Sequence, residues 1–449
     1  MKKIILLLGI FLISFTTNAQ CYSQIESGDN YIVAIKTDGT LWAWGQNNSG
    51  QLGDGTTINK NVPTQIGSTN DWDRISVGSD HTIAIKTNGT IWGWGNNSFS
   101  KIGFVSSGSV LTPTQIGTAT NWDFVSAGSN HTMAIKTDGT LWAWGRNFNG
   151  QLGDGTTTTR TTPTQIGTAT NWQEVAAGNA HTIAIRSANT LWGWGQAGSV
   201  GDGTNAQKNA PVQIGTANNW AQPFANGSAM ARRTDGTLWA WGNNGYGQLG
   251  IGSNTNQLNP VQVGTSNNWL NISMGFGHTL AVNTSNTLYG WGWNAAGQLG
   301  DGTIIDKNFP IIISQNALKI AAGTYQNIAI LSNTQTYTWG NNQYGQIGNG
   351  ITAATATPVA PTSINCPTSL ANASFENIVL SVFPNPSNGI FTINTLENNF
   401  KIVAFDVLGK EVALQTISEN QFSINNKGIF FLKIISDNGK ISNHKIVIE

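Results

Sequence analysis

Three recurrent residue patterns in this chain could carry chemistry. Residues 245–250 read GYGQLG and satisfy G-x-G-x-x-G. A dinucleotide site needs those glycines between a strand and a helix, where the helix N-terminus faces the pyrophosphate. Here the six residues are a variant of the text NNSGQLGDG, which recurs in a β context, so they read as a turn. His81, His131, His181 and His278 recur at one position of four copies, each followed by Thr. Imidazole binds zinc at about 2 Å. Side chains on separate repeats are too far apart to share an ion, so these rings read as a repeated structural hydrogen bond with the following Thr or a neighbouring repeat. Asp54, Asp154, Asp202 and Asp301 lie in Gly-Asp-Gly turns, where Asp bonds its own backbone. No metal and no cofactor is expected. The chain has no H-E-x-x-H, no P-loop and no G-x-S-x-G elbow. It is therefore expected not to be an enzyme, with a hydrolase assembled from distant loops as the catalytic alternative.

The elements that hold these residues are legible in composition and period. Of 449 residues only 10% are charged, and 22 basic side chains balance 22 acidic ones. A neutral chain lacks the basic footprint of a nucleic-acid binder. Eighteen Trp and 39% hydrophobic residues argue for a packed core rather than disorder. Residues 1–20 carry Lys2 and Lys3, an apolar run from Ile4 to Phe15 and a small polar close, the order of a cleaved secretory signal. Its apolar run is too short to span a bilayer, and no longer one follows. Cys21 comes next, so lipidation is one fate for it, although Asn18-Ala19-Gln20 is a poor lipobox.

The middle of the chain repeats. The second aromatic of W-x-W-G falls at Trp44, Trp94, Trp144, Trp194, Trp241, Trp291 and Trp339, spaced 50, 50, 50, 47, 50 and 48. A proline keeps step at 63, 113, 163, 211, 260, 310 and 358. Within a unit, HTIAIK (81–86) and TIWGWG (90–95) are short β-type runs joined by Thr-Asn-Gly. Asp-Gly or Asn-Gly between apolar runs marks a tight hairpin, because Gly accepts positive φ. RISVG (74–78) supplies a strand before them, and PTQIG (63–67) a fourth with Pro at its start, as suits a sheet edge. Four strands in a unit of about 49 residues describe a propeller blade. The expected fold is all-β: a seven-bladed β-propeller over residues 21–366, a linker at 367–377 and a small β-sandwich at 378–449.

The pattern AG-x-x-HT-x-AI-x-x-DG-x-LW-x-WG-x-N-x-x-GQLGDG resembles the regulator-of-chromosome-condensation repeat family, whose members form seven-bladed propellers. Two copies depart from it. NGSAMARRTDG (226–236) lacks the His-Thr pair, and KIGFVSSG (101–108) replaces QLGDG. In a closed ring of this kind Cys21 and Cys366 are neighbours, and a disulfide between them is expected, with lipidation of Cys21 competing. Family members that act as exchange factors for a nuclear GTPase need a partner an exported chain does not meet. The ultraviolet-B receptor branch carries a Trp-Arg pair before His-Thr, and this chain has GSDHT, GSNHT, GNAHT and GFGHT instead. A secreted relative inhibits a β-lactamase, which makes protein recognition the leading function.

The tail from residue 378 loses Trp and gains charge, with six Lys, four Glu and two Asp in 72 residues. Pro384-Asn385-Pro386, the turn at 407–410, Gly428-Ile429-Phe430 and Lys445-Ile446-Val447 resemble, in order, the C-terminal sorting domain of the type IX secretion system. That resemblance implies handling by the secretion machinery, outer-membrane passage, and release or display at the cell surface. Variation between the copies points to the ligand. One slot after W-x-W-G holds Phe99, Tyr246 and Tyr344, with Phe148 and Trp293 nearby. These five aromatics are the candidate binding residues for a protein partner or, alternatively, a glycan. The propeller is expected to act as a monomer that does not bind nucleic acid.

Overall fold

The computed structural model describes residues 22–106, 108–332, 335–359, 380–395, 400–406, 410–418, 420–436 and 441–449. The chain divides into two compact units at residues 366 and 367.

The first unit is seven antiparallel sheets, each of four consecutive strands. In the third, Trp122–Ala127, His131–Lys136, Leu141–Gly145 and Arg160–Gln165 follow from the ring axis outward. A blade is therefore one sequence repeat, with no strand borrowed from its neighbour. The Asp-Gly hairpins form as expected. Gly139 has φ 76°, and a Cβ there would stand 2.2 Å from the Thr170 carbonyl, so Gly is required. Asp138 locks the turn by accepting from the Thr140 N–H at 3.0 Å.

The outer strand starts earlier than the sequence reading placed it. In the first blade it runs Lys60–Gln65, so Pro63 lies inside it. The register explains this: Ala43 faces Thr64 and Gly45 faces Lys60, an irregularity that leaves Pro63 out of the ladder. The strand is an edge, where a missing donor costs little.

The seven W-x-W-G Trp are fully buried between blades. Six of their indoles donate across the seam to a carbonyl of the preceding blade. Trp94 and Trp194 donate to Gln51 and Gln151 at 3.0 and 2.9 Å, and Trp44 closes the ring onto Gln346 at 3.0 Å. Closure adds bonds from the Gln326 amide to Ser27 Oγ and Gly28 O, both at 2.9 Å. A mixed core of Tyr22, Ile25, Trp44, Ala321 and Ile328 joins the first and last blades. Hydrophobic burial plus an indole hydrogen bond thus repeats at the closing seam as elsewhere.

The second unit is two four-stranded sheets packed on Phe391, Ile393, Ala404, Leu432, Ile434 and Ile446. The expected sandwich is present. Asn385 joins two of the motifs read from sequence: its amide donates to Lys445 O at 2.7 Å and its carbonyl accepts from Val447 N at 2.9 Å. Among the described residues no helix is long and apolar enough to cross a membrane.

Candidate binding face

Antiparallel order sends the two kinds of connection to opposite ends of the ring. The first-to-second and third-to-fourth strand loops share one end, and the Asp-Gly hairpins share the other. At the hairpin end each of blades two to five holds a cation between two indoles. Lys86 lies 4.7 and 4.8 Å from Trp72 and Trp92, and Arg186 lies 4.0 and 4.1 Å from Trp172 and Trp192. These contacts explain much of the Trp count as packing, and cation–π contacts of this kind are worth about 0.5–2 kcal/mol each.

The loop end is built on a fixed backbone with variable side chains. In the third blade, buried Asn147 accepts from Leu152 N at 2.9 Å and donates to Asp154 at 3.0 Å. Asp154 accepts from Thr156 N at 2.9 Å and pairs with Arg160. Burial opposes its ionisation, but the bonds from Thr156 and Arg160 outweigh this and hold its carboxyl below the usual range. Lys60, Lys208 and Lys307 pair in the same way with Asp54, Asp202 and Asp301. The recurrent Asp are turn formers, as read, and the basic residues beside them are their counter-ions. That pairing was missed, although Asp and Lys recur six apart in the sequence. The slot residue contributes only its N–H: Asn149, Tyr246 and Tyr344 each donate to the side chain of the Gln two positions on, at 3.0, 2.9 and 2.9 Å. Its side chain is free to vary.

The four His are buried structural groups. Nε2 of His81, His131 and His278 meets Thr132 Oγ1, Thr182 Oγ1 and Asn327 Oδ1 of the next blade, at 3.3, 3.1 and 2.8 Å. The partner is thus the neighbouring blade rather than the adjacent Thr in sequence. Burial lowers the pKa of His131 to about 3 and of His278 to about 4. Residues 245–250 form the loop turn of the fifth blade, where a Cβ on Gly250 would stand 2.6 Å from the Trp291 indole nitrogen.

The candidate aromatics fall on the loop end in two groups rather than one row. Phe99 and Phe148 meet edge to face at 5.7 Å, with the Arg146 guanidinium 5.5 and 5.1 Å from their rings. They remain 40% and 54% exposed. Three blades on, Tyr246 stacks on Trp293 at 5.1 Å, and Trp293 meets Tyr325 edge to face at 5.3 Å. Tyr344 lies half-buried in its own slot. Arg146, Phe276 and Tyr325 were not anticipated, because the last two sit on first-to-second strand loops outside the slot. Cys21 and Cys366 lie outside the described residues, as does the signal segment.

The inner strands enclose an axial cavity of about 370 Å³, lined among others by Gln24, Glu26, Arg74, Ser126 and Glu174. Much of its polarity laces the ring. Gln24 exchanges bonds of 2.8 and 2.9 Å with the Ile75 backbone, and Ser126 Oγ accepts from Ala177 N at 2.9 Å. Burial pushes the Glu26 carboxyl up to about 7, against a bond from Gln24.

Sequence comparison decides the family. The RCC1-like domain matches residues 11–228, and the regulator of chromosome condensation (RCC1) repeat matches 235–282, 285–330 and 335–379. The chain belongs to the RCC1-repeat family. The secretion system C-terminal sorting domain matches 381–449, so this RCC1-repeat propeller is type IX cargo, sent to the cell surface or released. Solved propellers share the fold. Human WBSCR16 is 19% identical with a TM-score of 0.65, covering 72% of this chain and 94% of its own. Yeast RCC1 (Prp20), solved with Kap60, is 19% identical with a TM-score of 0.65, covering 76% and 86%. Prp20p from Saccharomyces cerevisiae, described with its binding to Gsp1p and histones, is 19% identical with a TM-score of 0.58, covering 67% and 80%. At that identity the likeness speaks for the fold alone.

Proposed function

We propose that this RCC1-repeat propeller is an extracellular recognition module that binds a protein partner through the loop end of the ring. The observation that carries the reading is the Phe99–Arg146–Phe148 cluster. Two Phe rings with no polar atom stand about half exposed, on loops whose backbones are fixed independently by Asn97 and Asn147. Aromatic and Arg side chains are the residue types that anchor protein interfaces. The recurrent Asp of the loop turns and three of the four seam His are committed to turns and seams, which favours binding over catalysis.

The test is saturable capture of exported proteins from neighbouring cells by the full mature chain. The partner should lose about tenfold or more in affinity on Phe148→Ala, an anchor-sized loss of roughly 1.4 kcal/mol. Capture unchanged by Phe148→Ala and Phe99→Ala in folded variants overturns the reading.

A further inference from the structure

At the seam between the fourth and fifth blades a buried His has lost the hydroxyl partner that His81 and His131 find across theirs. By register, Ser228 faces Gly242 as His181 faces Gly195, so Ala229 stands where Thr182 stands one blade earlier. The His that would bond across this seam is His181, and the hydroxyl it needs is missing. His181 is 1% exposed, and its Nε2 makes no well-formed hydrogen bond among the described residues, the Ser228 backbone being a polar neighbour of its ring. Two further departures converge here. The loop after Gly195 is two residues shorter than in the third blade, which puts Ser199 where Gln151 stands. The first-to-second strand turn of the fifth blade is one residue shorter and carries Gly227. Each change removes side-chain volume.

The result is a cavity of about 160 Å³ that His181, Ser199 and Gly227 line. Gln248, 2% exposed, also lines it, and its Oε1 is engaged by Tyr246 N, leaving the two amide protons as donors. Asn179 and Asn243 add amides, while Tyr246 and Phe276, 38% and 44% exposed, add aromatic surface, one face of Tyr246 being taken by Trp293. Among the described residues no Asp, Glu, Lys or Arg lines it. A site without formal charge selects against ions. Closely set amide, hydroxyl and imidazole groups suit a ligand dense in hydroxyls, and aromatic faces suit one with an apolar C–H face. The volume is below the roughly 300 Å³ at which drug-sized pockets begin, so it admits one ring and not a chain.

We propose that this cavity binds a single neutral hexopyranose ring, free or as the end of a glycan. His181 Nε2 and Gln248 bond its hydroxyls, and Tyr246 packs on its C–H face. The site is distinct from the Phe99–Arg146–Phe148 cluster and does not depend on the partner proposed above.

The experiment titrates the full mature chain with methyl glycosides of glucose, galactose, mannose and N-acetylglucosamine, and with glucuronate and glucosamine as charged counterparts. Saturable binding is read by calorimetry and by the ring nitrogen resonances of His181. At least one neutral glycoside is expected to bind and shift the His181 resonances, with the charged compounds at least tenfold weaker. Ala229→Thr, which supplies the missing hydroxyl to His181, and Tyr246→Ala are each expected to weaken binding about tenfold, while Phe148→Ala leaves it unchanged. A short oligosaccharide ending in the preferred sugar separates a free sugar from a chain end. Absence of saturable binding by every neutral glycoside overturns the proposal. So does binding that leaves His181 undisturbed, or that survives both seam variants in folded protein.

Discussion

The seam between the third and fourth blades and the seam between the fourth and fifth solve one packing problem with different side chains. In the first, Trp194 donates to Gln151 O at 2.9 Å, Thr182 donates to the same carbonyl at 2.8 Å, and His131 reaches Thr182 at 3.1 Å. Three polar groups and one large indole fill the space. In the second, Trp241 donates to Ser199 O at a longer 3.2 Å, Ala229 has no hydroxyl, and His181 is left without a well-formed bond at Nε2. The indole and its bond are kept at both, and the polar relay is lost at one. Burial of the Trp therefore holds the ring together, while the relay can be dispensed with at the second of these seams. Where it is dispensed with, space and an unused imidazole nitrogen remain.

The largest expected effect tests the kept element. Trp194→Ala should cost about 3–5 kcal/mol, as truncation of a fully buried aromatic does, seen as a lower denaturant midpoint. Trp241→Ala, which removes the longer indole bond at a seam that lacks the polar relay, should cost less. Equal losses would mean the two seams are packed alike.

Next in size is acid. The four seam His have folded pKa values below the ordinary 6.5: about 3 for His131, about 4 for His181 and His278, and well below for His81, where burial leads and Lys101 and His131 add to it. A lowered pKa means the unfolded chain binds more protons, so this stability is present above about pH 6.5 and is lost as pH falls toward 4. Several kcal/mol are at stake, since each unit is worth about 1.4 kcal/mol. Melting temperature should drop steeply across that window, and His131→Gln should flatten the slope. Glu26 has the opposite sign: its carboxyl, raised to about 7, favours the folded state less as pH rises from 4.5 to 7. Glu26→Gln should therefore stabilise the ring at pH 8, read against wild type in the same melt.

What the sequence disclosed follows from what repeats. Seven Trp and seven Pro on a common period specify the blades, and the Asp-Gly hairpins fix their internal turns, because each depends on contacts within one unit. The slot aromatics were visible as variation, since only the slot N–H is used by the scaffold. The pairing of Phe99 with Phe148, and of Tyr246 with Trp293, joins side chains 49 and 47 residues apart and needs the ring itself. The seam cavity was visible only as a missing His-Thr pair. Its consequence falls on His181, a residue that matches the repeat pattern, because the bond that is lost crosses to the next blade.

The smallest effects interconvert the two seams. Thr182→Ala makes the third seam resemble the fourth, leaving His131 Nε2 and the Gln151 carbonyl each short of a bond. Loss of partners for buried polar groups costs about 1–3 kcal/mol. Ala229→Thr runs the other way. A hydroxyl there can accept from His181 and donate toward Ser199 O, as Thr182 does toward Gln151 O. One restored hydrogen bond is worth about 0.5–1.5 kcal/mol, and the neighbouring space lowers the risk of overpacking. Denaturant midpoints of the two single variants should move in opposite directions with unchanged slope. If Ala229→Thr destabilises, the hydroxyl does not reach His181, and the fifth blade is offset enough that the two seams are not variants of one design.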